Sequence, residues 1–135
     1  REFSEAALAA IDGEFDVLYV DGAHRYGPAR RDIEQYGTRV RDGGVMLIHD
    51  SFSSIGVTGA ICRLLVWNRR WRYEGRSRSL ATYRAVGDVD RAQNAARQLA
   101  QLPWFAKNIG LKVLLTLGVG TVMRRAGRDA LEWPY

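Results

Sequence analysis

"FDVLYVDGAHRYGPARRDIEQYGTRVRDGGVMLIHDS", residues 15–51, decides how the chain is read. It holds two apolar runs of strand length, DVLYV (16–20) and VMLIHD (45–50), and Asp and His residues close both. Neither run alternates polar with apolar side chains, as expected of strands covered on both faces in a parallel sheet. Between them, GPARRDIEQYGTRV (27–40) has Pro28 suited to a first helical turn and places Ile33, Tyr36 and Val40 on one face. Strand, helix and strand within about 35 residues make a βαβ unit with parallel strands and a right-handed crossover. RDGG (41–44) reads as the turn that feeds the second strand. Gly43 and Gly44 precede a strand rather than a helix N-terminus, so they are turn residues and not a phosphate cradle.

Outward from this unit, SEAALAAIDGEFD (4–16) offers Ser4 as an N-cap, with Ala7, Leu8 and Ile11 at helical spacing and Gly13 as the stop. A helix from about Ile55 to Asn68 is expected to bury Val57, Ile61, Leu64 and Leu65, with Gly56 and Gly59 weakening its start. WRYEGRSRSLATYRAV (71–86) reads as two strands around a polar turn, an antiparallel edge on an otherwise parallel sheet. DVDRAQNAARQLAQL (88–102) is a helix begun by an acidic cap and ended by Pro103.

The chain's 135 residues, 47% hydrophobic and 26% charged, are ordinary for one globular domain. A single cysteine, Cys62, excludes an intrachain disulfide and leads to the expectation of a reducing cytoplasm. The chain begins at Arg1 with no Met and no charged-then-apolar leader, so an N-terminal part is expected to precede it. The net charge of +5 is uneven: residues 103–128 carry five basic side chains and no acid.

In open α/β sheets, ligands bind beyond the carboxyl ends of the parallel strands. Asp21, His24, His49 and Asp50 all stand there and should share one crevice. Neighbouring strands lie about 4.8 Å apart, so Asp21 and Asp50 are expected to converge on one ligand or ion. Two carboxylates and two imidazoles suit a hard divalent cation with mixed oxygen and nitrogen ligands, or general base chemistry near neutral pH. Any one of the four could simply cap a loop. Four at adjacent strand ends point to function.

In Asp21, Gly22, His24, Tyr26, Asp32, Gly43, Gly44, His49 and Asp50 the stretch resembles the second half of a class I S-adenosylmethionine-dependent methyltransferase. It is similar in particular to the small O-methyltransferase-like family, over roughly Ser4 to Val86. The resemblance implies an α/β, Rossmann-like methyltransferase sheet represented by its C-terminal half, strands four to seven with an antiparallel edge. Residues 1–87 would form that half domain and residues 88–135 a helical extension with a basic apolar tail. The family's glycine-rich loop after strand one and its acid after strand two have no counterpart here, so no residue is assigned to the cofactor, S-adenosylmethionine. Such a half-sheet would expose an edge and is expected to fold poorly alone or to associate.

Carried over position by position, the resemblance aligns Asp21 with the strand-four acid that binds a divalent metal ion in catechol O-methyltransferase-like relatives. His49 and Asp50 take the positions of the other metal ligands. An acid is usual where His49 stands, and imidazole would shift preference from magnesium toward a transition metal. The implied reaction is methyl transfer to a hydroxyl of a small-molecule, sugar or natural-product acceptor. His24 would be the base in a metal-assisted form. In an unmetallated form, His24 or His49 would be the base, with Asp21 or Asp50 orienting the imidazole.

Competing functions rest on other features. A receiver-like domain phosphorylated at Asp21 would need a lysine at a later strand end, yet the only lysines, Lys107 and Lys112, lie in the tail. Arginines at 69, 70, 72, 76 and 78 lack a stacking motif, so they read as solvated surface and no nucleic-acid partner is expected. Tyr26, Tyr36, Trp67 and Trp71 read as core. The tail WFAKNIGLKVLLTLGVGTVMRRAGR (104–128) places Leu111, Leu114, Leu115 and Gly118 near one helical face. It would cover the sheet or pair with a second copy in a homo-oligomer. Its sharper alternative is an interfacial helix making peripheral membrane contact through residues 104–125. A non-catalytic interaction or membrane-associated module with a degenerate methyltransferase-like fold is the rival to the enzyme.

Overall fold

The computed structural model describes Leu8 and residues 11–117. Strand β1 (Phe15–Val20), helix α1 (Tyr26–Gly37) and strand β2 (Val40–Ile48) form the expected βαβ unit, followed by helix α2 (Ile55–Leu64). Strands β3 (Trp71–Ser77) and β4 (Leu80–Ala85) and helices α3 (Arg91–Leu99) and α4 (Leu102–Thr116) complete the order. The expected first helix falls largely outside the described residues; Leu8 is helical and Ile11 is not.

β1 and β2 pair in parallel, with Val17 to Val20 in register with Val45 to Ile48. Between Phe15 and Val17 the register slips, because Phe15 faces Val40 while Val17 faces Val45. RDGG is therefore not a turn before the strand but a bulge inside it, with Gly43 at φ +79° where a side chain would be strained. A Cβ at Gly44 would stand 2.6 Å from Val40 Cγ1 and 3.0 Å from the Asp16 carbonyl. Val40, expected on the helix face, begins the strand instead and is fully buried.

The sheet order is β1-β2-β4-β3. β4 lies antiparallel to both β2 and β3, so the outer strand β3 runs parallel to β1 and β2. The expected antiparallel pair is thus a hairpin that docks through its second arm, and its antiparallel strand sits inside the sheet. α3 closes the outer edge: Asn94 Oδ1 accepts from the Tyr73 N–H at 2.8 Å and its Nδ2 donates to the Trp71 carbonyl at 3.0 Å. One side-chain amide thereby supplies β3 with the hydrogen bonds a further strand would have made. Asp90 caps this helix by accepting from the amides of Ala92 and Gln93. Pro103 lies in the first turn of α4, so it opens the next helix rather than merely ending the last.

α1 and α2 pack together over one sheet face and enclose Val20, Ile33, Met46, Ile48, Val57, Ile61 and Tyr83. Burial of each large apolar side chain contributes about 1.5–3 kcal/mol. Side chains alternate across a strand. Leu18 and Val20 therefore meet the helices, while Val17 and Tyr19 stay 58% and 53% exposed. Coverage of β1 on both faces, expected from its continuous apolar run, is not found among the described residues. α4 packs Trp104 and Phe105 against the core, and the Arg76 guanidinium stacks 3.7 Å above the Trp104 ring. Its phase differs from the expectation, because Asn108 is buried and Leu114 points outward; Gly118 lies outside the described residues. No helix among the described residues is long and apolar enough to cross a membrane.

Candidate active site

The register of β1 and β2 ends at Val20 opposite Ile48, and the His49 amide donates to the Val20 carbonyl at 2.9 Å. Asp21 and His49 therefore leave the sheet side by side. His49 Nδ1 stands 3.2 Å from Asp21 Oδ1 and 3.7 Å from Asp50 Oδ2. His24, from the loop into α1, brings Nε2 to 2.9 Å from the same Asp50 oxygen. The Tyr19 hydroxyl donates to Asp21 Oδ2 at 3.3 Å. All four expected residues meet, in the spatial order His24, Asp50, His49, Asp21. The two carboxylates flank one atom, His49 Nδ1, at 3.2 and 3.7 Å.

Burial separates the two histidine–aspartate couples. The Asp50 side chain is 7% exposed and that of His24 63%, whereas His49 and Asp21 are 38% and 44% exposed. Asp50 Oδ2 and His49 Nδ1 are enclosed yet lack an aligned hydrogen bond, so the His24–Asp50 approach at 2.9 Å is a close contact without linear N–H···O geometry. Such contacts tighten when a substrate is in place.

The loop after β2 holds Asp50 inward. Asp50 and Phe52 have φ of +56° and +54°, a left-handed conformation that costs about 1–3 kcal/mol for each such residue. Hydrogen bonds and burial maintain it. Ser51 Oγ donates to the Ile48 carbonyl at 2.8 Å, the Ser51 amide donates to the Ser79 carbonyl at 2.9 Å, and Phe52 is 1% exposed.

Four residues that periodicity does not single out complete the site. Ser53 Oγ donates to Asp50 Oδ1 at 3.1 Å, and Ser54 Oγ donates to the His24 carbonyl at 3.0 Å. Tyr19 binds Asp21; although half its ring is exposed, desolvation and then the Asp21 charge raise its pKa, so it remains a donor. Gly56 lets the start of α2 touch the His24 loop: a Cβ there would lie 2.4 Å from the His24 carbonyl oxygen and 2.6 Å from the Tyr26 nitrogen. The run SFSS directly after the strand is the available sequence signal, since serines at strand ends bind nearby backbone and carboxylates.

Among the described residues no three His, Cys, Asp or Glu side chains are placed to hold a metal ion. The proposed ligands Asp21, His49 and Asp50 are instead arranged as carboxylates facing imidazoles, and Asp50 turns inward to Ser53. This donor set does not fit the metal centre expected from the resemblance. Beneath Asp21, His24 and His49 there is a space of about 10 Å³, the size of one water. A wider cleft of about 260 Å³ opens beside β1 against Tyr19, Asp21, Gly22, Asp32 and Tyr36. Larger hollows, of about 350 Å³ beside α3 and about 280 Å³ between α1 and Trp71, contain none of the four residues. Strand-end chemistry, not volume, marks the site.

Two comparisons bear on this geometry. No curated protein matches the chain. Residues 1–51 match a family model described as a methyltransferase domain, which takes in β1, α1, β2 and all four Asp and His residues. Over residues 1–51 the chain is therefore similar to a methyltransferase domain.

Proposed function

We propose that the chain supplies the acceptor-side half of an O-methyltransferase, with His24 as the general base and Asp50 as the group that orients it. The observation that carries this reading is the 2.9 Å approach of the exposed His24 to the buried Asp50, at the carboxyl end of a parallel strand. The sheet order and the open edge at β1 support assigning β1, β2, β3 and β4 to strands four, five, six and seven of the family's sheet, in residues 1–87. Residues 88–135 are then the C-terminal extension, helical at Arg91–Leu99 and Leu102–Thr116.

Asp50 is held by Ser53 and faces His24 Nε2, which favours the tautomer protonated at that nitrogen. His24, whose side chain is 63% exposed, then has Nδ1 to accept a proton from an acceptor hydroxyl arriving from solvent. S-adenosylmethionine, the usual cofactor of the family, supplies when bound an electrophilic methyl group on a sulfonium sulfur. His24 would take the hydroxyl proton and Asp50 would stabilise the imidazolium, while the hydroxyl oxygen takes up that methyl and the cofactor leaves as the neutral thioether S-adenosylhomocysteine, keeping the electron pair of the broken C–S bond. His49 and Asp21 form the second couple, positioned to orient the acceptor by hydrogen bonding. The roughly 10 Å³ space beneath the site is too small for an acceptor. A small-molecule, sugar or natural-product hydroxyl therefore approaches His24 from its exposed side. The exposed, unpaired Cys62 suits a reducing, cytoplasmic setting.

The test is His24→Asn in the natural full-length protein. Loss of about 10²- to 10⁴-fold in turnover, with S-adenosylmethionine affinity retained, is expected of a lost general base. Unchanged turnover with an unchanged pH–rate profile would remove His24 from that role.

A further inference from the structure

We propose that the outer face of α4 is a peripheral membrane-binding surface for anionic phospholipid, an inference independent of the catalytic reading. The inner face of this helix is occupied: Trp104 and Phe105 pack on the core, Asn108 is buried, and Lys112 Nζ donates to the Ser53 carbonyl at 2.8 Å. The outer face carries Leu102, Val113, Leu114 and Leu117 at 39%, 51%, 42% and 74% exposure. Ala106 and Gly110 lie between them, also exposed. A helix facing water alone would put charge on this side. Here the exposed Lys107 is the only charged residue of α4 besides Lys112, which is turned inward.

Charge selects the occupant. From residue 103 to residue 128 the chain has five basic residues and no acid. Lys107 stands on the described face, where a second copy would bring the same cation against it, whereas an anionic lipid surface complements both the apolar stripe and the charge. The 15 residues of α4 reach about 22 Å, short of the roughly 30 Å hydrocarbon core, so the helix would lie in the interface plane. Lys112 ties its inner side to Ser53, which holds Asp50. A lipid surface on the outer side would then lie about one helix diameter, roughly 10 Å, from the Asp50 loop.

The experiment is co-sedimentation of the whole chain with vesicles of phosphatidylcholine alone and with phosphatidylglycerol added. Expected are binding only to the anionic vesicles, weakening with salt, and about fivefold weaker binding for Lys107→Gln. Val113→Asp with Leu114→Asp should lower binding at least roughly tenfold. These side chains are exposed, so an unchanged circular dichroism spectrum and melting profile would show that the variants still fold. Absence of binding by the folded chain would overturn the proposal. So would equal binding to both vesicle types, or a lipid-free dimer that the double substitution dissociates.

Discussion

Gly56→Ala tests the geometry that places His24 on Asp50. The added methyl would stand 2.4 Å from the His24 carbonyl oxygen, 2.6 Å from the Tyr26 nitrogen and 2.8 Å from the Arg25 carbonyl carbon, all backbone atoms. Ordinary contact begins near 3.4 Å, so the start of α2 must retreat from the loop by about 1 Å. That movement stretches the Ser54–His24 hydrogen bond from 3.0 Å to about 4 Å and breaks it. Overpacking costs about 1–3 kcal/mol and the lost hydrogen bond about 1 kcal/mol, against a helix-propensity gain of at most about 1 kcal/mol. A net loss of about 1–3 kcal/mol is expected in denaturant unfolding. Gly110→Ala is the control: nothing lies within 4 Å of its Cβ, so the same substitution in α4 should stabilise by about 0.5–1 kcal/mol. If Gly56→Ala is as stable as the parent, the close approach of α2 to the His24 loop is refuted.

Asn94→Ala should cost about 2–4 kcal/mol, because it strands the Tyr73 amide and the Trp71 carbonyl at the edge of β3. A lower denaturant midpoint at an unchanged slope would show this, and a shift near zero would mean that α3 does not close that edge. On the other side of the sheet, hydrogen bonding from Arg84, offset in part by desolvation and aided by Arg72, lowers the pKa of Glu74 below its usual 4.5. A lowered carboxylate pKa stabilises the fold above the unfolded value, and that contribution disappears as pH falls through the folded value. The stability advantage over Glu74→Gln should therefore be constant above about pH 5 and close below 4.5. A gap that widened with acid would contradict this pairing.

The βαβ unit was legible because two continuous apolar runs bracket a helical pattern, and four Asp and His residues at their ends can only be brought together by parallel pairing. The bulge at residues 41–44 was not legible, since Gly43 and Gly44 have the composition of a turn and only the pairing with β1 shows that the strand continues through them. Nor does residue type reveal that Asp50 turns inward; its left-handed backbone depends on Ser51, Ser79 and the burial of Phe52. For the same reason the ligand set Asp21, His49 and Asp50 reads as a metal site in sequence and as imidazole–carboxylate couples in space. Along α4 the apolar residues Leu111, Val113, Leu114 and Leu115 leave the helical phase open, and the contacts of Trp104 and Lys112 decide it. Exposure of Val17 and Tyr19 was hidden by a run that is apolar on both sides of the strand.

The most direct measurement is calorimetric titration of S-adenosylmethionine and S-adenosylhomocysteine into the protein as it is naturally expressed, with Asp21→Ala and Asp50→Ala alongside. The methyltransferase reading predicts saturable binding of both compounds by the parent, and the His–Asp arrangement predicts that turnover in Asp50→Ala falls far more than cofactor affinity. A well-folded protein that binds neither compound would contradict the methyltransferase reading, and the Asp/His cluster would then be structural.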